Sequence, residues 1–258
     1  MHTYKKSLGQ HFLHDENVCR KIIDELQQQP FSRLLEVGPG GGALTKYLLE
    51  IPDIELKAVE LDAEKISYLL HTYPTLQGKI MHADFLALEK PFRENFTVIG
   101  NFPYNISTQI LFRMLDWRPG VETVIGMFQK EVAQRVAARE GNKVYGVLSV
   151  LIQAFFDVQY LFEVHENSFV PPPQVKSAVI RLQPRHELPD MKSEKMFFNL
   201  VKTAFNQRRK MLRNSVKTLF SADTLQQDIF TKRPEQLRID EFAALTHLMM
   251  HTNSTFHA

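Results

Sequence analysis

The fold of this chain is decided by Glu36-Val37-Gly38-Pro39-Gly40-Gly41-Gly42-Ala43-Leu44-Thr45, a glycine-rich loop between a predicted strand and a predicted helix. Glycines at such a junction let the backbone turn sharply and let a ligand approach without a Cβ atom in the way. A P-loop would end in Gly-Lys-Ser or Gly-Lys-Thr, so the ending Gly-Ala-Leu-Thr disfavours ATP and GTP. A dinucleotide-binding loop stays open, although Ala43 stands where its third glycine belongs.

Around this loop, short aliphatic runs alternate with helical stretches from residue 30 to 130, a pattern typical of a doubly wound parallel sheet. The predicted strands are Arg33–Val37, Glu55–Glu60, Lys79–Ala83, Phe96–Gly100 and Thr123–Phe128. The predicted helices between them are Leu44–Leu49, Ala63–Tyr73, Ile106–Trp117 and Lys130–Glu140. Two later runs, Asp157–Val164 and Ser177–Leu182, predict a terminal antiparallel pair, and an early helix is predicted from an N-cap at Asp15 until Pro30.

The length of 258 residues favours one or two domains, and a composition of 44% hydrophobic and 23% charged residues indicates an ordinary globular protein. A linker is expected from Pro184 to Pro189. We therefore expect a catalytic domain over residues 1–186, with a lid and helix over 1–29, and a small helical domain over 187–258. Residues 181–258 carry 13 Lys and Arg against 8 Asp and Glu. This asymmetry favours a polyanionic partner, with a solvated helix face as the alternative.

The remaining composition excludes several protein classes. A single cysteine, Cys19, allows no internal disulfide and no thiolate cluster, which favours a reducing cytoplasm. The longest apolar run, Val147 to Phe156, is too short for a membrane span, so no membrane partner is expected. His247 and His251 lie one helical turn apart without a third ligand, so no metal is expected.

Acidic residues follow the glycine loop at the ends of the next two strands. Glu60 lies about 20 residues after the loop, where an acid accepts hydrogen bonds from both ribose hydroxyls of an adenosine. Asp84 ends the third strand and could accept from the adenine amino group. Each acid alone could be an exposed strand end, but together with the loop they predict an adenosine-shaped cleft. This cleft fits S-adenosylmethionine (SAM) better than NAD, because with SAM the glycine loop has no pyrophosphate to bind.

The tetrapeptide Asn101-Phe102-Pro103-Tyr104 follows the fourth strand and indicates the chemistry. Adenine N6 is a poor nucleophile because its lone pair is delocalised into the ring. Two oxygen acceptors, the Asn101 side chain and a backbone carbonyl fixed by Pro103, favour the pyramidal geometry in which that pair can attack. The ring of Tyr104 offers a face on which a flipped base can stack.

These motifs resemble, in order, those of the bacterial 16S ribosomal RNA adenine N6,N6-dimethyltransferase family (KsgA/RsmA), from Ser7 to about residue 220. The resemblance implies an α/β fold of the class I SAM-dependent methyltransferases: a Rossmann-like, mostly parallel seven-stranded sheet with a small C-terminal helical domain. Phe102 departs from the family's usual leucine but leaves the two acceptors and the stacking ring in place. The other segments that match the family's motifs are Leu8–Leu13, Glu36–Thr45, Phe169–Ser177 and Phe205–Ser215.

The resemblance also implies roles for individual residues. The catalytic residues would be Asn101, Pro103, Tyr104 and Phe169, with Phe169 closing the second face of the target base. The residues that bind SAM, and its product S-adenosylhomocysteine, would be His11, Leu13, Gly38, Gly40, Glu60, Asp84 and Asn101. The residues that bind RNA would be Arg208, Arg209, Lys210 and Arg213. The spacing of Arg209, Arg213 and Lys217 predicts one basic helix face beside the apolar residues Leu212, Val216 and Leu219.

The function implied is dimethylation of N6 of two adjacent adenosines in the 3′-terminal hairpin loop of 16S rRNA within the 30S subunit, by a monomer. Two alternatives remain open. One is a ribosome-assembly factor that binds the particle and methylates incidentally. The other is a 23S rRNA adenine methyltransferase of the macrolide-resistance type, which shares the cleft and the tetrapeptide.

Overall fold

The computed structural model describes residues 11–250, so Leu8 to Gln10 of the N-terminal motif and His251 lie outside the described residues. The chain forms two compact units. Among the described residues, the first unit contains residues 11–134 together with Phe156–Pro184, and the second contains Arg135–Phe155 and residues 185–250.

The first unit is built on a seven-stranded sheet in the order β4-β3-β2-β5-β6-β9-β7. Its strands are β2 (Arg33–Val37), β3 (Glu55–Glu60), β4 (Ile80–His82), β5 (Phe96–Asn101), β6 (Val121–Gln129), β7 (Phe156–Val164) and β9 (Ser177–Pro184). The pairs from β4 to β6 are parallel, whereas β9 pairs antiparallel with both β6 and β7. This confirms the predicted fold class and the terminal antiparallel pair. A separate two-stranded ladder joins β1 (Phe12–Leu13) to β8 (Phe169–Val170).

Helices cover the sheet of the first unit, and the boundaries follow the predicted signals. They are α1 (Glu16–Leu26), α2 (Thr45–Leu48), α3 (Ala63–Thr72) and α4 (Ser107–Trp117). Asp15 caps α1 as predicted, since its side chain accepts from the amides of Asn17 and Val18. The central strands β2, β5 and β6 are buried almost throughout, because a parallel sheet carries helices on both faces.

An ion pair between a buried arginine and a half-buried glutamate ties α1 to β9. The Arg181 guanidinium is 7% exposed and lies 2.8 Å from a Glu25 carboxylate oxygen. The same nitrogen donates to the Glu25 backbone carbonyl and to Gln28, and a second guanidinium nitrogen donates to Gln159. The charge of Arg181 is thus neutralised and both terminal nitrogens of its guanidinium are hydrogen-bonded, whereas its buried Nε has no partner among the described residues.

The remaining helices are α5 (Lys130–Ala137), which crosses the boundary between the units, and α6 (Val147–Gln153), α7 (Glu194–Phe205), α8 (Leu212–Ser215) and α9 (Ile239–Leu248) of the second unit. The predicted division at residue 186 differs from the observed partition in one segment, Arg135–Phe155. This segment folds with the second unit because its apolar run forms α6 and packs on α7, where the Phe155 ring lies 5.9 Å from that of Phe198.

The prediction of one basic helix that contains Arg209, Arg213 and Lys217 is wrong. Helix α7 ends at Phe205, a turn follows in which the Lys210 amide donates to the Gln207 carbonyl, and α8 contains only four residues. Met211 has an extended backbone, and the Leu212 amide donates to the Lys232 carbonyl, so the helix cannot continue. Leu212, Val216 and Leu219 are nevertheless buried, as their spacing indicated.

Within residues 11–250, none of the helices combines the length and the apolar character that a bilayer crossing requires.

Candidate active site

A cavity of about 250 Å³ lies at the carboxyl ends of the parallel strands of the first unit. The chain leaves neighbouring strands there in the same direction, which brings residues far apart in sequence to one edge of the sheet. The residues that line it include His11, Phe12, Leu13, Glu36, Gly38, Gly40, Glu60, Lys65, Asp84, Phe85, Asn101, Phe102, Pro103 and Tyr104. The glycine loop, both acids and the tetrapeptide therefore share one cavity.

The glycine loop turns through backbone conformations that favour glycine. Gly38 has a φ of 68° and Gly40 a φ of 58°, both in the left-handed region. A Cβ atom on Gly40 would also lie 3.6 Å from the ring of Phe12. The loop is therefore bent by glycine and covered by an aromatic ring from β1.

The two acids are held by backbone amides. One carboxylate oxygen of Glu60 accepts from the Gly40 amide at 3.2 Å, and the other accepts from the amides of Leu61 and Asp62. Asp84 accepts from the Leu86 amide at 2.9 Å and is exposed. Because each carboxylate oxygen has two lone pairs, both acids retain capacity to accept from a ligand's hydroxyl or amino group.

Glu36, at the floor of the cavity, is an ionisable group that was not assigned a role from sequence. It is 2% exposed, and one of its oxygens accepts from the Thr45 hydroxyl at 2.8 Å. Burial raises the pKa of Glu36 to about 8, the Thr45 hydrogen bond opposes this, and the nearby Glu60 adds to it. A carboxyl group that is largely protonated at neutral pH therefore lies behind the glycine loop.

The tetrapeptide directs its groups to different sides. The Asn101 side-chain amide donates to the His11 carbonyl at 3.3 Å, which leaves its oxygen to accept from a ligand. The Pro103 carbonyl already accepts from the Ile106 amide and the Ser107 hydroxyl. In the described part of the chain, no group donates to the Phe102 carbonyl. The backbone carbonyl that is free to accept from the substrate, together with the Asn101 side chain, is therefore that of Phe102.

Phe102 itself turns its ring into the sheet. The residue is 1% exposed, and its ring centroid lies 5.0 Å from that of Phe128. A Cβ atom on Gly126 of β6 would lie 2.4 Å from the Phe102 ring. The aromatic side chain at this position is therefore accommodated by a glycine on the neighbouring strand.

Tyr104 is held rigidly, whereas Phe169 lies away from the cavity. The Tyr104 hydroxyl is hydrogen-bonded to Ser177, and burial raises the pKa of the phenol while this bond opposes the rise. The ring that faces Tyr104 is His11, with centroids 5.5 Å apart and planes at 30°. Phe169 is 1% exposed, packs in the hydrophobic core with Leu13 and does not line the cavity. The structure thus joins Tyr104 to His11 and not to Phe169.

The basic residues predicted to bind RNA lie in the second unit. Arg208, Arg209 and Lys210 line a groove together with Gly141, Asn142, Lys143, Phe205, Asn206, Gln207 and Glu235. Arg208 donates to the Asn142 carbonyl at 3.3 Å, while Arg209 and Lys210 are exposed. Arg213 lies outside the groove on α8 and is also exposed.

Comparison with known proteins shows the family to which the chain with this site belongs. Residues 1–251 match the model of a family described as ribosomal RNA adenine dimethylase. The chain belongs to the ribosomal RNA adenine dimethylase family. It is therefore a SAM-dependent methyltransferase.

Individual relatives agree with the family. The chain is 52% identical over 246 residues to a ribosomal RNA small subunit methyltransferase A of Flavobacterium johnsoniae, covering 94% of each chain. It is 48% identical over 250 residues to the protein of the same name in Cytophaga hutchinsonii, covering 95% of this chain and 96% of the other.

Two solved structures share the fold. A dimethyladenosine transferase from Plasmodium falciparum aligns with a TM-score of 0.79 at 24% identity, over 93% of this chain and 99% of the other. The 23S rRNA methyltransferase ErmE aligns with a TM-score of 0.68 at 25% identity, over 90% of this chain and 99% of the other.

The cavity of this dimethylase fits its cofactor by the chemistry of the lining groups. Adenosine needs acceptors for its ribose hydroxyls and its amino group, and Glu60 and Asp84 supply carboxylates at adjacent strand ends. The faces of the adenine ring are uncharged and need apolar walls, which Phe12, Leu13 and Phe85 provide. The carboxylate acceptors and the apolar walls together therefore suit a nucleoside that carries a short polar chain.

Besides Glu36, sequence reasoning assigned no role to Phe12 or Lys65, which also line the cofactor cavity. Phe12 was part of the N-terminal motif but had no role, and in the structure its ring lies against Gly40 and Gly41. Lys65 had no motif at all, yet its ammonium lies 5.0 Å from the centre of the Phe12 ring. The only sequence signal for Lys65 is its position in the first turn of α3, soon after the acid at the end of β3.

Proposed function

We propose that this enzyme transfers methyl groups from SAM to N6 of two adjacent adenosines in the 3′-terminal hairpin loop of 16S rRNA, within the 30S subunit. On this proposal it acts as a monomer in the cytoplasm and takes part in small-subunit biogenesis. The observation that carries the proposal is that the Asn101–Tyr104 tetrapeptide and the acid-lined glycine loop border the same cavity. A base held by the first would lie beside the cofactor held by the second.

Two oxygens support activation of adenine N6. The Asn101 amide nitrogen is engaged by the His11 carbonyl, so its oxygen is the group that accepts from the substrate. The Phe102 carbonyl supplies the other acceptor, because that of Pro103 is occupied by the first turn of α4. Two acceptors on one amino group favour a pyramidal nitrogen, whose lone pair is no longer shared with the ring.

Tyr104 supports the stacking of the target base. Its hydroxyl is anchored to Ser177 on β9, so the ring keeps its orientation without a bound base. A phenol is neutral at physiological pH, and burial moves the pKa of Tyr104 further above that range. Stacking on an anchored aromatic ring stabilises a flipped base by about 1–3 kcal/mol.

Catalysis then depends on positioning. When bound, SAM supplies an activated methyl group next to the acceptors. The adenine nitrogen loses its proton only after it has become cationic, so the chain needs no general base. Holding the nucleophile and the methyl carbon in line can account for roughly 7–11 kcal/mol of the barrier.

The groove of the second unit supports binding of folded RNA. Arg209 and Lys210 are exposed beside the partly buried Arg208, and Arg213 adds a further exposed charge on α8. Cationic side chains in such a cluster contact phosphates and supply affinity and register, but not sequence choice. Shape and splayed-out bases are the features by which folded RNA is distinguished.

The assignment of roles is tested by replacing Asn101. Purified Asn101→Ala should lose methyl transfer to undermethylated 30S subunits, while SAM binding stays measurable by calorimetry. Asn199→Ala, on the exposed side of α7, is the matched control and should transfer at the wild-type rate. Transfer by Asn101→Ala at the wild-type rate would show that the acceptor role is wrong.

The substrate is tested by comparing particles. Wild-type enzyme with radiolabelled SAM should methylate undermethylated 30S subunits and leave 50S subunits unlabelled. The high identity to proteins named small subunit methyltransferase A supports this expectation over the 23S reaction of ErmE, to which the identity is 25%. Label found in 50S subunits alone would reverse the assignment.

A further inference from the structure

Lys65 brings a positive charge to the cofactor cavity. The residue is partly exposed, lines the cavity, and places its ammonium over the Phe12 ring at 5.0 Å from the ring centroid. This distance is within the roughly 6 Å over which the face of an aromatic ring attracts a cation. The same ring lies close to the glycine loop, since a Cβ atom on Gly40 or Gly41 would lie 3.6 or 3.5 Å from it. The ring of Phe12 thus contacts the lysine and the loop at the same time.

We propose that Lys65 is a positioning residue for the cofactor: its ammonium holds the Phe12 ring against the glycine loop, and the ring keeps its place in the wall of the SAM cavity. Lys65 acts through Phe12 and makes no contact with SAM of its own. This inference goes beyond the proposed function, because it concerns the cofactor and is the same whichever ribosomal particle is methylated.

The backbone of Lys65 is fixed to the acid that the cofactor needs. The side chain of Asp62 caps the start of α3, and the Asp62 carbonyl accepts from the Lys65 amide at 3.1 Å. The Asp62 amide donates to the Glu60 carboxylate, whose other oxygen accepts from the Gly40 amide. The lysine, the acid and the glycine loop are therefore joined by short backbone links. A contact from Lys65 to Phe12 ties the N-terminal segment to this group.

The strand that carries Phe12 is short. β1 contains two residues, of which Leu13 is buried in the core and Phe12 is partly exposed, because neighbouring residues of a strand point to opposite faces. The ladder with β8 fixes the backbone of these residues but leaves the torsions of the Phe12 side chain open. The direction of the ring depends on side-chain contacts, and Lys65 supplies one of them over the ring face.

Two other roles are compatible with a lysine at this place. In one, the ammonium is solvated and contributes nothing to the cofactor. In the other, it binds the carboxylate of SAM directly. The three roles differ in whether the effect of the lysine depends on the ring of Phe12. A solvated lysine has no effect, the effect of a direct contact persists without the ring, and the effect of a lysine that acts through the ring disappears with the ring.

Calorimetry of S-adenosylhomocysteine (SAH) binding to the full chain measures this effect without turnover. Lys65→Met keeps a long side chain that favours the helix but removes the charge, and should weaken SAH binding by about two- to fivefold, as for a partly exposed cation–π contact. Lys65→Arg keeps a cation over the ring and should stay within about 1.5-fold of the wild type. The matched control is Lys21→Met, because the Lys21 ammonium lies 4.0 Å from the centroid of the Phe162 ring, and it should leave the affinity unchanged.

A double variant decides whether Lys65 acts through the ring. Phe12→Leu alone should weaken SAH binding, since it removes the ring that lies on the glycine loop. In that background, Lys65→Met should change the affinity by less than about 1.5-fold, because residues that act through one contact are not additive. The inference is overturned by an unchanged affinity in Lys65→Met, by a Lys65→Arg variant as weak as Lys65→Met, or by equal effects of Lys65→Met with and without the ring. These readouts need no transfer to 30S subunits, so they fail separately from the proposed function.

A spectroscopic measurement tests the contact in the free protein. Protons on the carbon next to the Lys65 ammonium lie near an aromatic face and are shifted by its ring current. In NMR spectra, Phe12→Leu should move these Lys65 resonances and leave the corresponding resonances of Lys21 in place. Lys65 resonances that did not respond would show that the ammonium does not lie over the Phe12 ring in solution, and this result would also overturn the inference.

Discussion

The contact between Phe102 and Gly126 predicts that alanine at position 126 destabilises the first unit. An added Cβ would lie 2.4 Å from one ring atom of Phe102 and 2.6 Å from one of Phe128, about 1 Å closer than a normal carbon contact. Both rings are fully buried, so neither can turn into solvent. Overpacking of this kind lowers the free energy of unfolding by about 1–3 kcal/mol. Alanine also makes the unfolded chain less flexible than glycine does, which raises the free energy of unfolding by about 0.4–1 kcal/mol.

The double variant makes the prediction specific. Phe102→Leu alone should destabilise through a cavity, by less than the roughly 3–5 kcal/mol of a Phe→Ala change. In the double variant with Gly126→Ala, the shorter side chain leaves room for the new Cβ and for a shift of Phe128. We expect the double variant to be at least about 1 kcal/mol more stable than the two single costs predict, because residues in contact couple.

Urea unfolding followed by tryptophan fluorescence measures these changes. Trp117 is the only tryptophan, is 3% exposed on α4 and packs against Phe85 and Phe96. It therefore reports on the first unit. The matched control is Gly120→Ala, where a Cβ would meet nothing closer than 3.6 Å, and it should change the midpoint little.

Two results would refute this reasoning. One is a Gly126→Ala variant as stable as Gly120→Ala, which would mean that the two rings give way at no cost. The other is a double variant whose cost equals the sum of the single costs within about 0.5 kcal/mol, because independent sites add. The slope of the urea transition should stay constant, since a change would indicate an altered unfolded or native state.

Three further predictions follow from charged groups. Burial raises the pKa of Glu36 to about 8, so the folded chain keeps a proton that the unfolded chain releases near pH 4.5, and stability should fall as the pH rises from 4.5 to 8. Glu36→Gln should reduce that fall in urea midpoints, and an unaltered pH dependence would contradict the assignment. Arg181→Ala should cost about 1.5–3 kcal/mol by removing the charged hydrogen-bond partner of the half-buried Glu25, whereas a simultaneous Glu25→Leu change should recover part of that loss in the same assay. Arg209→Ala should lower the slope of log affinity for 30S rRNA against log salt concentration by about 0.7–0.9, and Arg238→Ala, whose guanidinium pairs with a neighbouring aspartate, should leave it unchanged.

Local patterns allowed much of the fold to be predicted. The bounds of β2 and β3 match the predicted strands, because alternation and turn residues are properties of the local sequence. The shared cavity was also predictable, since parallel strands deliver their carboxyl ends to one edge. The glycine loop, Glu60 and Asp84 were assigned to one cleft from the residues, Asn101 was added to the cofactor site by the family resemblance, and the structure brings them together.

Other features depended on contacts between distant segments. The four-residue spacing of Arg209 and Arg213 indicated one helix, but α7 ends at Phe205 and the Leu212 amide donates to the distant Lys232 carbonyl instead of to a carbonyl of a preceding helical turn. The apolar run that became α6 could have joined either unit, because hydrophobicity does not specify a partner.

The amino-acid sequence by itself determined the order of strands and helices, the glycine loop with its two acids, and the tetrapeptide chemistry, because each is encoded in neighbouring residues. Only the tertiary structure decided which rings meet. It placed Phe169 in the core and His11 on Tyr104, and it set Gly126 against Phe102. The physical reason is that close packing between segments far apart in sequence fixes the partner and the depth of each side chain, and no local period contains that information.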